Sequence, residues 1–199
     1  MDIKEDSEGA TLHYLFVFFM EVFMEKEKLR WYIVKKDYVN YLQKYDNKVA
    51  NIDYKVKLKP YIGIIVNINN FNYYVPISSV KEKHYSIKED MDFIKISQKN
   101  KILGVLNLNN MIPILDEDIS ILKYKEIEKY RNFNSEKEKK LYISLLNFEL
   151  KLINKMIGKI RKSALKLYKE KQNNPNSVIS MRCCDFKLLE KMCVLYKRK

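Results

Sequence analysis

The first half of the chain carries short apolar runs separated by polar breaks, a pattern that predicts β-strands. These runs are Trp31–Val34, Tyr61–Ile68, Phe71–Ile77, Phe93–Ile96, Ile102–Leu108 and Met111–Leu115. Asn69 and Asn70 lie between two of the longest runs, and because asparagine tolerates a positive φ angle they predict a tight hairpin turn. One short helix is predicted after the first strand, over Tyr38–Lys44, with Asp37 as its N-cap.

From Ser135 onwards the apolar residues recur at the period of an α-helix. Ser135 and Glu138 fit the capping-box pattern that begins a helix. The pattern then predicts one long helix as far as Gln172, or two helices with a bend near Gly158. Asp185 is predicted to cap a final helix. Strands followed by helices predict an α+β domain with a mainly antiparallel sheet and a long helix in the C-terminal half.

The length and net charge of the chain predict how many domains it has and what kind of partner it binds. A chain of 199 residues predicts one domain that can bury its own core. Lysine and arginine number 38 against 25 acidic residues, a net charge of +13. A surplus of this size predicts an anionic partner, nucleic acid before a membrane surface. An A+T-rich genome also favours lysine codons, but that does not explain the shortage of acidic residues.

Cysteine and histidine usage argues against disulfides and metal sites. The three cysteines are Cys183, Cys184 and Cys193. An odd number with two adjacent positions does not form a disulfide framework, so we expect a reducing, cytoplasmic environment. His13 and His84 lie far from the cysteines in sequence, so we expect neither a metal site nor another cofactor. The longest apolar run, Leu15–Met20, is too short to cross a bilayer.

Residues 1–23, a leader segment, differ from the rest of the chain because they carry one lysine against five acidic residues. The codons for Glu21 and Val22 can contain GGAGGT, a bacterial ribosome-binding sequence, just before the codon for Met24. We therefore hypothesise that translation starts at Met24 and that one domain spans residues 24–199. The alternative is an amphipathic helix that packs on this domain. Mass spectrometry of the natively expressed protein distinguishes the two, because a peptide from the leader would exclude the later start.

The most informative polar stretch lies in a predicted loop, Ser78–Asp90, directly after the strand Phe71–Ile77. It brings together two hydroxyls, two ammonium groups and an imidazole, from Ser78, Ser79, Lys81, Lys83 and His84. Lys59 lies just before the neighbouring strand, and in an antiparallel hairpin the start of one strand opposes the end of the other. The sequence therefore predicts a pocket of hydroxyls and cations at one end of the sheet.

Such a pocket suits an RNA phosphodiester, because RNA supplies its own nucleophile, the 2′-hydroxyl. A serine can hydrogen-bond this hydroxyl or a phosphate oxygen, and a lysine is a compact donor and charge for phosphate oxygens. His84 could act as a general acid or base. A simpler interpretation stays open from these residues alone: serine pairs after strands are common in turns, and lysine runs usually face solvent.

The predicted long helix carries lysines along its polar face, among them Lys151 and Lys155. Together with the 15 tyrosines, which can stack on unpaired bases, these lysines offer a track for an RNA backbone. An ordinary solvated helix face is the alternative.

Several blocks of the sequence resemble the ToxN/AbiQ family of type III toxin–antitoxin endoribonucleases. They are Trp31–Val34 with Asp37–Leu42, Lys59–Ile64, Val75–Lys81 with His84, Gly104–Leu108, Met111–Ile114 and Cys184–Glu190. Val75–Lys81 is similar to the family's active-site segment, which reads hydroxyl, hydroxyl, any residue, lysine. The blocks occur in the family's order and cover most of the chain apart from the leader.

The resemblance implies a compact, highly twisted sheet surrounded by helices, and RNA cleavage that needs no metal ion and leaves a 2′,3′-cyclic phosphate. It implies that Ser79 and Lys81 form the central catalytic pair, supported by Ser78, Lys59 and Tyr38. Ser78 stands where some relatives have threonine, which keeps the hydroxyl. The substrate would be cellular or phage RNA.

The resemblance also implies an RNA antitoxin, a small tandem-repeat pseudoknot that the toxin processes and then binds in closed protein–RNA assemblies. On this basis we expect Tyr38, Lys83, His84, Lys151 and Lys155 to contact RNA. The biological setting would be abortive phage infection or plasmid maintenance. The role of His84 stays open, since the family's chemistry is associated with serine and lysine.

Two other functions stay open from the residues alone. A non-catalytic RNA- or DNA-binding protein could use the same basic surface, and would bind with a steep salt dependence but leave its ligand intact. A membrane-surface protein rests only on the leader and the charge, and we expect no membrane partner.

Overall fold

The computed structural model describes residues 28–53 and 59–197. The leader lies outside these ranges, so the start at Met24 stays a prediction. The strands are β1 Arg30–Val34, β2 Tyr61–Ile68, β3 Phe71–Ser79, β4 Phe93–Gln98, β5 Lys101–Asn107, β6 Ile112–Pro113 and β7 Ile119–Ile121. The helices are α1 Lys36–Gln43, α2 Lys83–Ser86, α3 Glu136–Lys155, α4 Ile157–Asn173, α5 Val178–Arg182 and α6 Phe186–Lys197.

The strands form one sheet in the order β4-β5-β3-β2-β1-β7, and β6 pairs with β3 away from this path. Each of these pairings is antiparallel. The apolar side chains of the sheet and helices meet in a core cluster of buried residues. The predicted α+β class with an antiparallel sheet is confirmed.

The β2–β3 hairpin forms where the sequence predicted it. Asn69 and Asn70 have φ angles of 51° and 64°, so the turn uses the positive φ that asparagine tolerates. The two strands pair from Ile68 with Phe71 at the turn to Tyr61 with Pro76 at the open end. The open end of this hairpin carries the predicted pocket.

The end of β3 differs from the prediction, because the strand runs two residues further, to Ser79. Ser78 pairs with Val105 and Ser79 with Gly104 on β5, so both serines belong to the ladder rather than to a loop. This pairing joins segments far apart in sequence, and no local pattern indicated it. The loop begins only after Ser79, and it contains the short helix α2.

The C-terminal helices follow the predicted caps. Ser135 Oγ accepts a hydrogen bond from the Glu138 N–H at 3.2 Å, and this cap starts α3. The second of the two predicted alternatives is correct, because α3 and α4 are separate helices divided at Met156, next to Gly158. Asp185 caps α6 by accepting from the Leu188 N–H at 3.1 Å.

The predicted N-cap of α1 is wrong. The helix begins at Lys36, and Asp37 lies in its first turn, where a carboxylate still interacts favourably with the helix dipole. The cause is the preceding residue: the Lys35 N–H donates to the Asp118 carbonyl oxygen at 2.9 Å, and Lys35 is extended. The Lys35 carbonyl then accepts from the Val39 N–H, which closes the first helical turn.

Helix α3 is fastened to the sheet by Trp31, which is 2% exposed. Its indole N–H donates to the Leu146 carbonyl oxygen at 3.0 Å. This bond joins β1 to the middle of α3 and sets which face of the helix lies over the sheet. None of the helices within residues 28–53 and 59–197 is both long and apolar enough to cross a membrane.

Candidate active site and RNA interface

The open end of the β2–β3 hairpin brings Lys59 beside Ser78. Tyr61 pairs with Pro76, and the Ile77 N–H donates to the Pro60 carbonyl oxygen at 3.2 Å, so the ladder continues towards Lys59 and Ser78. The structure therefore has the two backbones adjacent, as the hairpin geometry predicts. The Lys59 ammonium donates to the Asn51 carbonyl oxygen at 3.1 Å.

Ser78 and Ser79 point to opposite faces of the sheet, because successive strand residues alternate. Ser78 is half-buried, and its hydroxyl accepts a hydrogen bond from the Asn107 amide at 2.9 Å. Ser79 lies on the other face with its ladder partner Gly104. The two hydroxyls therefore do not line one pocket side by side, contrary to the simplest form of the prediction.

Of the four residues predicted to be catalytic, Ser79 and Lys81 are exposed, while Ser78 and Lys59 are half-buried. Among the residues that the structure describes, the Ser79 hydroxyl has no hydrogen-bond partner and the Lys81 ammonium has no carboxylate partner. An exposed hydroxyl and an unneutralised cation two residues apart can both reach a bound phosphodiester. Ser78, by contrast, already uses its oxygen as an acceptor from Asn107.

His84 is a core group of the loop rather than an exposed one, with 5% of its surface accessible. Its Nδ1 accepts from the Lys81 backbone N–H at 3.0 Å, and the His84 backbone N–H donates to the Lys81 carbonyl oxygen at 2.9 Å. The imidazole also packs on the Phe93 ring, with the centroids 5.5 Å apart. The imidazole therefore contacts the Lys81 backbone and offers little surface for the predicted contact with RNA.

The electrostatic surroundings of His84 favour the neutral form of the imidazole. Burial lowers the pKa of the imidazole, and the nearby ammonium groups of Lys83, Lys81 and Lys95 lower it further. The ring is therefore neutral at pH 7. Because Nδ1 is an acceptor, the remaining proton is on Nε2.

Asn107 and Lys95 lie beside the candidate site, and the sequence analysis missed both. Asn107 lies at the end of β5 and fixes the Ser78 hydroxyl, and Lys95 projects from β4 opposite Val105, on the same face as Ser78. The alternation of Ile94, Lys95 and Ile96 could have shown that Lys95 leaves the core face. Nothing local could have indicated which strand it would face.

Tyr38 is fully buried on α1. Its hydroxyl donates to the Pro113 carbonyl oxygen at 2.6 Å, and burial, followed by the nearby Cys193 thiol, raises its pKa. The apolar stripe of α1 turns this side chain into the core, so Tyr38 supports the fold beside β6 and has no surface to offer RNA.

The remaining predicted RNA contacts are exposed. Lys83, Lys151 and Lys155 all reach solvent, the first on α2 and the others on α3. The ammonium of Lys159, at the start of α4, forms an ion pair with Glu89 at 2.9 Å, which brings this region beside the loop after α2. Lys151 and Lys155 lie near the C-terminal end of α3, before the break at Met156.

The sequence profile of the toxin ToxN family of type III toxin–antitoxin systems matches residues 30–194. This range contains the sheet, the helices and the site residues discussed above. The chain belongs to the ToxN family.

Curated ToxN-family relatives align with nearly the whole chain. Endoribonuclease AbiQ of Lactococcus lactis subsp. lactis is 28% identical over 179 residues, covering 86% of this chain and 91% of its own. Endoribonuclease ToxN of Bacillus thuringiensis subsp. kurstaki is 25% identical over 179 residues, covering 87% of each chain.

Solved structures of similar proteins share the fold. The lactococcal anti-phage endoribonuclease AbiQ superposes with a TM-score of 0.72 at 26% identity, covering 87% of this chain and 100% of its own. A type III toxin selectively inhibited by a non-coding RNA pseudoknot has a TM-score of 0.74 at 23% identity, with the same coverage. At that identity the second likeness speaks for the fold alone.

Proposed function

We propose that this protein is a cytoplasmic endoribonuclease toxin that cleaves RNA at the strand end carrying Ser79 and Lys81. The observation that carries the proposal is the exposed Ser79 hydroxyl beside the exposed Lys81, whose ammonium has no carboxylate partner among the described residues. Membership in the ToxN family supports the same function, since its aligned relatives are endoribonucleases.

The reaction we propose is attack by the RNA 2′-hydroxyl on the adjacent phosphorus. The O2′–P bond forms as the P–O5′ bond breaks. The 2′-hydroxyl gives up its proton and the leaving 5′-oxygen takes one up, so the products are a 2′,3′-cyclic phosphate and a 5′-hydroxyl with no net change in protons. Ser79 hydrogen-bonds the 2′-hydroxyl or a phosphate oxygen and holds it for in-line attack. Lys81 and Lys59 supply positive charge to the phosphorane-like transition state. No step requires a metal ion.

The supporting residues have narrower roles in this proposal. His84 accepts from the Lys81 N–H and so fixes the backbone from which the Lys81 side chain projects. Asn107 holds Ser78, which keeps the strand end in its ladder register. Lys83, Lys151 and Lys155 contribute to the electrostatic attraction of the RNA backbone.

We propose that the natural inhibitor is a small repeat RNA folded as a pseudoknot, which the toxin processes and then holds in a closed protein–RNA assembly. The net charge of +13 and the exposed lysines of α2 and α3 support an RNA partner. Membership in the ToxN family of type III toxin–antitoxin systems supports the same proposal.

The test is cleavage of single-stranded RNA transcripts by the purified protein in EDTA, with chemical analysis of the product ends. We expect 5′-hydroxyl and 2′,3′-cyclic phosphate ends. Ser79→Ala and Lys81→Ala should each lower the single-turnover rate by roughly 10²–10³. Ser97→Ala, at an exposed serine of β4, is the matched control and should cleave like the wild type.

Two outcomes would contradict the proposal. Loss of activity in EDTA would indicate a metal-dependent mechanism. Tight, salt-sensitive binding of intact RNA by the wild-type protein, without cleavage, would indicate the non-catalytic binding protein instead.

A further inference from the structure

Glu149 interrupts the apolar stripe of α3 and is buried in the interior. It lies on the face of the helix that also carries Leu146 and Ile153, and 4% of its surface is accessible. Within the described ranges its carboxylate forms no ion pair and no hydrogen bond. A buried acid without a partner costs folding free energy, so a site of this kind is a candidate for function.

Gly104 makes room for this carboxyl group directly beside Ser79. A Cβ atom at Gly104 would lie 2.7 Å from Glu149 Oε1 and 3.1 Å from Ile77 Cδ1. Gly104 is the ladder partner of Ser79, and partners in an antiparallel pair project to the same face. The Glu149 carboxyl and the Ser79 Cβ are therefore at most about 8 Å apart on one face of the sheet.

Across residues 28–53 and 59–197, no cation forms an ion pair with Glu149. The titratable side chains that face it are Tyr124, from the helical turn before α3, and Tyr142, on α3 itself. The Arg131 guanidinium lies over the Tyr142 ring at 4.2 Å. The strand residues around Gly104 on this face carry no charge; they are Ile77, Ser79, Ile94, Ile96 and Leu106. Burial alone raises the pKa of Glu149 to about 8.

We propose that Glu149 is a positioning residue that orients the Ser79 hydroxyl for the cleavage reaction. When ionised, the carboxylate accepts the Ser79 hydrogen, directly after a rotamer change or through one water molecule. The Ser79 oxygen then presents a lone pair to the RNA 2′-hydroxyl. When protonated, Glu149 no longer draws this hydrogen inwards, and the Ser79 hydroxyl is not held for the reaction. This role rests on the proposed function of Ser79.

The test is the pH dependence of the single-turnover cleavage rate in wild type and in Glu149→Gln. The wild-type rate should rise with pH to a plateau, with a midpoint near 8. Glu149→Gln keeps the shape of the side chain but cannot ionise, so we expect a rate about 10-fold to 100-fold below the wild-type plateau and no such midpoint. Glu136→Gln, at an exposed position of the same helix, should keep the wild-type profile.

Two further variants distinguish the role of Glu149 from the proposed function of Ser79, on which it rests. Glu149→Met fills the site with an apolar side chain and should fold. We expect it to cleave RNA as slowly as Glu149→Gln. It also replaces Glu149→Gln in the test if the glutamine variant fails to fold. In a Ser79→Ala background, Glu149→Gln should add no further loss, because both act through one hydroxyl. A wild-type pH profile in the folded Gln and Met variants, or additive losses, would overturn the role of Glu149. Full activity of Ser79→Ala would instead overturn the proposed function.

Discussion

Glu149 and Glu190 are equally buried but have opposite surroundings. They expose 4% and 6% of their surface, respectively. Glu190 accepts hydrogen bonds from the hydroxyls of Tyr73 at 2.9 Å and Tyr168 at 2.6 Å, and from the Lys187 ammonium at 3.3 Å. Glu149 has no such donor within the described residues, and burial raises its pKa to about 8.

This difference in hydrogen-bond partners indicates that Glu190 is a structural carboxylate, whereas Glu149 is suited to function. Glu190 joins β3, α4 and α6, because its donors come from all three elements. A carboxylate satisfied in this way fastens elements together, and removing it leaves buried hydroxyls unpaired. Within the described residues Glu149 joins no elements through a hydrogen bond. It lies beside the strand end that carries Ser79, and it can exchange a proton near neutral pH.

The same substitution should have opposite consequences at the two positions. Glu190→Leu should lower the free energy of unfolding by about 3–5 kcal/mol, because it leaves the Tyr73 and Tyr168 hydroxyls without their acceptor. Glu149→Leu at pH 8 should be neutral or stabilising, because it replaces a partnerless buried acid with an apolar side chain. Urea unfolding at pH 8 measures both. If the two variants lowered the free energy of unfolding equally, the distinction between a structural Glu190 and a partnerless Glu149 would be wrong.

Gly104→Ala should lower the free energy of unfolding by about 1–3 kcal/mol, because the added methyl meets both the Glu149 carboxyl and the Ile77 side chain. Part of this cost should disappear when Glu149 is shortened to alanine. A double-mutant cycle of the two changes measures their coupling. Strict additivity would show that the carboxyl does not lie against Gly104.

The stability of the protein should depend on pH through Glu149. Because its folded pKa is raised from 4.5 to about 8, the folded state holds a proton that the unfolded state has released across this range. The contribution of Glu149 to the free energy of unfolding therefore falls as pH rises from about 4.5 to about 8, by at most about 1.4 kcal/mol per pH unit. This decline should be absent from Glu149→Gln, as measured by urea unfolding at several pH values. Parallel curves for the two proteins would contradict the raised pKa.

Local patterns predicted the elements of this fold better than their partners. The hairpin turn at Asn69 and Asn70 and the caps at Ser135 and Asp185 depend on a few neighbouring residues, and all are present as predicted. The pairing of β3 with β5 depends on distant residues. Because of this pairing Ser78 lies in a strand, whereas the sequence predicted a loop.

The same limit applies to the site. The stretch Ser78–His84 supplied the candidate side chains, but packing decides which of them are exposed. His84 is buried against Phe93, while Lys81 is exposed. The sequence does single out Glu149, because a charged residue there occupies a core position of the apolar helical stripe, between Leu146 and Ile153. Only the structure shows that this position lies across Gly104 from the end of β3.

The most direct test of the account compares Ser79→Ala with Ser78→Ala in the single-turnover cleavage of one RNA. The two serines are adjacent in sequence but lie on opposite faces of the sheet, and Ser78 is already engaged by Asn107. We predict a loss of about 10²-fold or more for Ser79→Ala, and a loss of no more than about 10-fold for Ser78→Ala. Equal losses, or a greater loss for Ser78→Ala, would contradict the assignment of the reaction to the face that carries Ser79.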